Sequence, residues 1–279
     1  MKEYLNRLKS EAKTGEIIYW WILRALMIFA FIKGIIGMVK GENDLSDPLQ
    51  VFANFAAMFT WEVFMLTSEK TFSRHVPSVI QDGLITMIFA ASFCGKFLNF
   101  YYDVRWWDSG MHLLSGGLCV LAGYEVVVAM QKRDKKTISV PIALLCALGF
   151  SFFVSTLWEL FEFTADQFMC SPAGGIIKDA LPHLNLDAGD KIGDAQHWCY
   201  AFAEAEGGVK LATLFNPVYY ERWPIMDTMG DIVLNSTGAL VAWVVLKIFP
   251  YHHKGKGDVN AKIEAELAKS AKKELAKKR

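Results

Sequence analysis

The chain carries no excess of charge. Its 29 Lys and Arg balance 29 Asp and Glu, so the basic surplus with which proteins grip nucleic acid is missing, and no nucleic-acid partner is expected. It also lacks a cysteine framework. Of its five Cys, Cys94, Cys119 and Cys146 fall inside apolar stretches and read as small buried residues. Cys170 and Cys199 share a polar connection, where a disulfide and two free thiols are both open. No small-residue cleavage pattern follows the first apolar stretch, so that stretch is expected to stay as a membrane anchor. No internal repeat or low-complexity linker interrupts the chain. The Asp187-x-x-Asp190-x-x-x-Asp194 run with His197 lacks the full spacing of a calcium loop and reads as a solvated loop.

What the chain does have is long apolar blocks. Hydrophobic residues make up 53% of it, and its mean hydropathy is +0.24. A soluble domain of this length can also hold a large core. Here, however, the apolar residues run in blocks and not in amphipathic stripes. About 20 apolar residues cross a bilayer as one helix. Six blocks qualify: Ile17–Val39, Leu49–Leu66, Val79–Leu98, Asp108–Met130, Ile138–Phe168 and Asp227–Phe249. The second is short and holds Asn54 and Glu62.

The expected fold is therefore all-α: a polytopic integral membrane protein of about six transmembrane helices. Residues 1–16 form a cytoplasmic interfacial helix, 17–249 the bundle with an outer loop at 169–226, and 250–279 a cytoplasmic Lys-rich tail. Lys and Arg set the orientation. Lys2, Arg7, Lys9 and Lys13 precede the first block; Lys70 and Arg74, then Lys132, Arg133, Lys135 and Lys136, fall on the same side, as does the tail. The short connections opposite hold only Lys40 and Arg105, with Lys96 just inside the third block. Both termini are expected in the cytoplasm.

Three blocks carry paired ionisable residues at helical spacing, all at the outer end. Asp108 and His112 open the fourth block, Glu159 and Glu162 close the fifth with Asp166 a turn beyond, and Asp227 and Asp231, then Asn235, open the sixth. Residues three or four apart share a helix face, and ionisable groups in a membrane are costly and mark sites. Helix capping alone accounts for Asp108 and Asp227, but not for His112, Asp231 or Asn235. Glu159 and Glu162 sit near a helix C-terminus, where the dipole disfavours anions. They call for a metal ion, a shared proton, or a cation from the loop such as Lys178 or Arg222. A second set, Glu62, Asp82 and Glu125 with Arg24, lies toward the cytoplasmic end and reads as structural ion pairs, Arg24 neutralising one of the acids.

In order, the motifs are Asp108-x-x-x-His112-x-x-x-Gly116, Glu125, Trp158-Glu159-x-x-Glu162, and Asp227-Thr228-x-x-Asp231 with Gly238 beyond. Together they resemble the YjdF-type family of bacterial inner-membrane proteins across roughly the second half of the chain, and more loosely before it. The Asp-x-x-x-His opening is also similar to VanZ-like membrane proteins. The resemblance implies a multi-pass protein of the bacterial cytoplasmic membrane, in contact with lipid.

One His among several carboxylates is a ligand set for Zn²⁺, Mn²⁺ or Mg²⁺. In an enzyme, His112, Glu159, Asp227 and Asp231 hold the metal. Asp108 and Glu162 are the catalytic carboxylates, with Glu162 as base, and Ser115, Asn235 and Thr237 hydrogen-bond a lipid-linked substrate. The alternatives are a proton- or cation-coupled carrier, which the lack of a repeat disfavours, and a structural or accessory protein whose polar cluster holds helices together.

Overall fold

The computed structural model describes residues 2–41, 46–104, 106–169, 191–192, 199–203, 209–212, 223–253, 255 and 258–277. Within these, the side chains of 2–5, 7, 46, 47, 102, 162–169, 223–227, 277 and the three strand segments lie outside the description. The apolar blocks become helices because a backbone in hydrocarbon must satisfy its own N–H and C=O groups. Five described helices are long and apolar enough to cross a membrane: Thr14–Lys40, Val79–Phe97, Trp107–Asp134, Val140–Phe161 and Thr228–Ile248. They belong to α2 (Thr14–Lys40), α5 (Val79–Phe89, continued by π-helical turns Ala90–Phe97), α7 (Trp107–Asp134), α8 (Val140–Met169) and α9 (Trp223–Ile248). Shorter helices are α1 (Lys2–Glu11), α3 (Ser46–Ala57), α4 (Thr60–Met65) and α6 (Phe100–Asp103), and α10 (Val259–Lys277) closes the chain.

The surface is inverted relative to that of a soluble protein. Ile18, Trp21, Ile22, Phe29 and Ile32 of α2 are exposed, as are Leu145, Phe153 and Leu157 of α8 and Val233, Val241 and Val245 of α9. Arg24, Glu62, Gln81, Glu125 and Asp231 are buried. Apolar patches this extensive are rare on soluble monomers and suit a lipid environment. The chain is an all-α polytopic membrane protein, with one small sheet in its longest connection.

The expected span Leu49–Leu66 is not one helix. It breaks at Met58–Phe59 into α3 and α4, which is why five span-length helices appear and not six. The two pieces still run back beside α2: Trp20 meets the Trp61 ring edge-on, and Arg24 Nη2 donates to Glu62 Oε1 at 2.5 Å. The carbonyl exposed at the break does not go unmet. Met58 O accepts from Arg24 Nη2 at 2.5 Å and from Gln81 Nε2. An interrupted helix is tolerated at membrane depth when side chains re-satisfy the freed backbone.

Contacts gather residues 1–151 and 238–279 into one compact unit and 152–237 into a second. In the first, α7 is the hub. A Cβ at Gly123 would lie 2.8 Å from Phe150 Cβ and 3.0 Å from the Ala147 backbone, so α8 crosses there at close range. Ser151 Oγ donates to Gly116 O at 2.9 Å in the same interface. A Cβ at Gly238 would fall 1.8 Å from Leu113 O, so only glycine lets α9 approach α7 at that point. Small residues at crossings are how membrane helices pack closely. Both α1 and α10 sit at the C-terminal end of α7, α10 through Val259 and Ile263 against Val128. The second unit holds an antiparallel sheet of β1 (Lys191–Ile192), β2 (Cys199–Ala203) and β3 (Val209–Ala212), in the order β1-β2-β3.

Candidate metal centre

Asp108 lies in the first turn of α7 and His112 one turn on. Their side chains meet on one face, His112 Nε2 3.6 Å from Asp108 Oδ1. That is ion-pair range and longer than a hydrogen bond. On α9, Asp231, Asn235 and Gly238 follow at spacings of four and three, which puts them on one face. Gly238 itself packs on Leu113 and Gly117 of α7. Asp231 and Asn235 are buried, each 4% exposed. Asp108, His112 and Asp231 each offer one ligand atom, and the three lie within 4.8 Å of one another.

Bonds of about 2.1 Å in a tetrahedral site place ligands about 3.4 Å apart. The cluster would therefore close around an ion by moving side chains roughly an ångström. One imidazole nitrogen and two carboxylate oxygens are a donor set of the kind that holds a divalent cation.

The structure thus unites three of the nine expected site residues. Glu159 is buried at 2% exposure on α8 but is not in the group that meets within that distance. Asn235 is buried one turn beyond Asp231. Ser115 Oγ donates to the His112 carbonyl at 2.9 Å, and Thr237 Oγ1 to the Val233 carbonyl at 2.8 Å, so each braces its own helix. The side chains of Glu162, Asp166 and Asp227 lie outside the described residues, as do the Cys170–Cys199 pair, the Asp187–His197 run, Lys178 and Arg222.

The second polar set resolves into separate pairs. Arg24 pairs with Glu62, with its guanidinium over the Phe59 ring at 3.8 Å, and Trp20 Nε1 donates to Asp82 Oδ1 at 2.6 Å. Glu125 finds partners absent from the sequence expectation. His252 Nε2 lies 2.9 Å from both of its oxygens, and Tyr251 Oη donates to Oε1 at 2.5 Å. Next to it, Tyr124 Oη meets His253 Nδ1 at 2.6 Å, and Gln131 Nε2 donates to Asn260 Oδ1 at 2.8 Å. Burial, then the negative charge of Glu125, pushes the Tyr251 phenol well above its usual range, so it stays a donor. Burial holds the His253 imidazole below its ordinary value. The available signal was Tyr251-His252-His253, three hydrogen-bonding aromatics directly after the last span.

The chain belongs to the family described as "Predicted membrane protein (DUF2238)", whose model matches residues 17–179. An "Uncharacterized protein" of the bacterium Thermotoga maritima is 30% identical over 101 residues, which is 36% of this chain and 51% of that protein. The chain thus spans about half the length of the curated relative it matches. No solved structure matches it. Fold and family agree on a multi-pass membrane protein, and its His/Asp cluster has the composition to coordinate a metal ion.

Proposed function

We propose that this member of a membrane-protein family binds a divalent cation at Asp108, His112 and Asp231 and uses it to hydrolyse a phosphate or ester bond of a lipid-linked substrate. The approach of the three ligand atoms to within 4.8 Å carries this reading. One imidazole nitrogen with carboxylate oxygens suits Zn²⁺ or Mn²⁺, and a more oxygen-rich set suits Mg²⁺. Asp108, His112 and Asp231 would hold the ion, and Glu159 and Asp227 are the further candidate ligands. When bound, the ion polarises the scissile group and acidifies a water. Asp108, half-exposed beside His112, and Glu162 are the carboxylates that exchange protons with water and leaving group. Asn235 and Ser115 line the substrate side. The proposal extends to a site in the outer leaflet of a bacterial inner membrane with both chain ends in the cytoplasm, as the Lys and Arg distribution supports, and to kinship with the YjdF-type proteins.

Elemental analysis of purified protein, with thermal unfolding in detergent under Zn²⁺, Mn²⁺ or chelator, tests it. Bound metal near one equivalent is expected, with unfolding temperature raised by metal and lowered by chelator. His112→Ala and Asp231→Ala should remove that response while the protein still inserts. No response to any divalent ion in folded protein would end the metalloenzyme reading and leave a proton-coupled carrier or an accessory protein.

A further inference from the structure

At the other end of the bundle, a cleft of about 330 Å³ opens between α1, the turn before α5 and the last turn of α7. Its walls include Glu11, Arg74, His75, Ser78 and Lys132. It lies at the rim of the spans, since Val79 begins one and Lys132 sits in the final turn of another. A lipid headgroup occupies that level of a bilayer.

The cleft is built around a buried cation. The Arg74 side chain is only 9% exposed. Its Nη1 donates to Glu11 Oε1 at 3.0 Å and Oε2 at 3.3 Å, while its Nε is buried without any acceptor. A guanidinium presents a planar fork matched to carboxylate and phosphate oxygens, and one edge of this fork is satisfied while the Nε position is not. A buried donor left unmet is unfavourable until an acceptor reaches it. Lys132 adds a second basic side chain from α7, so the lining sets Arg74 and Lys132 against Glu11, with Glu16 behind Ser78. His75 adds none in its neutral form, and its Nε2 is 2.9 Å from the Glu69 carbonyl. The Ser78 hydroxyl is committed to Glu16 Oε2 at 3.1 Å. Basic pockets between membrane helices at the headgroup level select anionic lipid heads.

We propose that this cleft is a binding site for the phosphodiester head of an anionic phospholipid, held by Arg74 and Lys132, with Glu11 as the internal carboxylate the phosphate competes with. The site is separate from the Asp108–His112–Asp231 cluster and does not depend on the metal reading.

The test is thermal unfolding of the full chain in neutral detergent, titrated with short-chain phosphatidylglycerol, short-chain phosphatidylcholine or inorganic phosphate. Phosphatidylglycerol is expected to stabilise saturably and phosphatidylcholine not. Lys132→Gln should weaken the apparent affinity about tenfold, the loss of one charge-assisted contact. Glu11→Gln, which frees Arg74, should strengthen it. Arg74→Gln should abolish it; if that variant fails to fold, the opposed shifts of the Lys132 and Glu11 variants decide. Inorganic phosphate acting as strongly as the lipid would overturn the lipid assignment in favour of a free phosphate. No stabilisation by either anion, or equal stabilisation of wild type and Lys132→Gln, would overturn the site itself.

Discussion

The two ends of α7 solve the same electrostatic problem in opposite ways. At the Glu125 end, one buried carboxylate is matched by an imidazole and a phenol, and the neighbouring Tyr124, Gln131, His253 and Asn260 hydrogen-bond in pairs. At the Asp108 end, two carboxylates share one imidazole. A closed network has its charge balanced and holds structure. A group of two carboxylates and an imidazole is one that could hold a metal ion. The same helix thus carries a hydrogen-bonded polar cluster toward one end and a candidate metal-holding group at the other.

Substitutions can break that contrast, beginning with the one that removes both ends together. Gly238→Val places a Cβ into the Leu113 carbonyl and should prevent α9 from docking on α7 at all; no monodisperse folded protein is expected in detergent chromatography. Next in size is Glu125→Ala, which removes the buried carboxylate on which His252 and Tyr251 converge. A loss of about 2–4 kcal/mol is expected in denaturant unfolding, with the response to metal unchanged. His112→Ala should do the reverse: less than about 1 kcal/mol in metal-free protein, and no metal response. A Glu125 variant that lost the metal response, or a metal-free His112 variant as unstable as it, would erase the contrast.

The smallest effect is one of pH. His253 titrates below its ordinary value of 6.5, first because of burial, with Asp258 opposing and His252 adding to the shift. The fold therefore prefers the neutral ring. That contribution is fully present above about pH 6.5 and is lost as the pH falls from there through the lowered value. Unfolding temperature should drop on acidification from pH 7 to pH 5.5 more steeply in wild type than in His253→Gln. Equal slopes would show that His253 contributes no such linkage.

Much of the fold was legible because hydrocarbon imposes a simple rule: long apolar blocks must be helices. Asp108 with His112 was legible for a similar reason, since four-residue spacing forces one face, and Asp231 with Asn235 followed the same rule. The break inside Leu49–Leu66 was only hinted at by Asn54 and Glu62. Its cause is tertiary, a carbonyl capped by Arg24 and Gln81 from two other helices, and spacing within one segment does not contain that information. The partners of Glu125 were hidden for the same reason. His252 lies 127 residues away and beyond the last span, where no periodicity links it to α7.

The capped break at Met58 also bears on how the protein is made. Helix α2 is apolar enough to enter a bilayer on its own. Neither α3 nor α4 is, for each is too short and α4 carries the acidic Glu62. Arg24, which pairs with Glu62 and meets the Met58 carbonyl, is therefore expected to assist their entry. Helices α2, α3 and α4 are then expected to partition as one hairpin, and Arg24→Leu should leave the α3–α4 segment stranded outside the membrane while α2 still inserts.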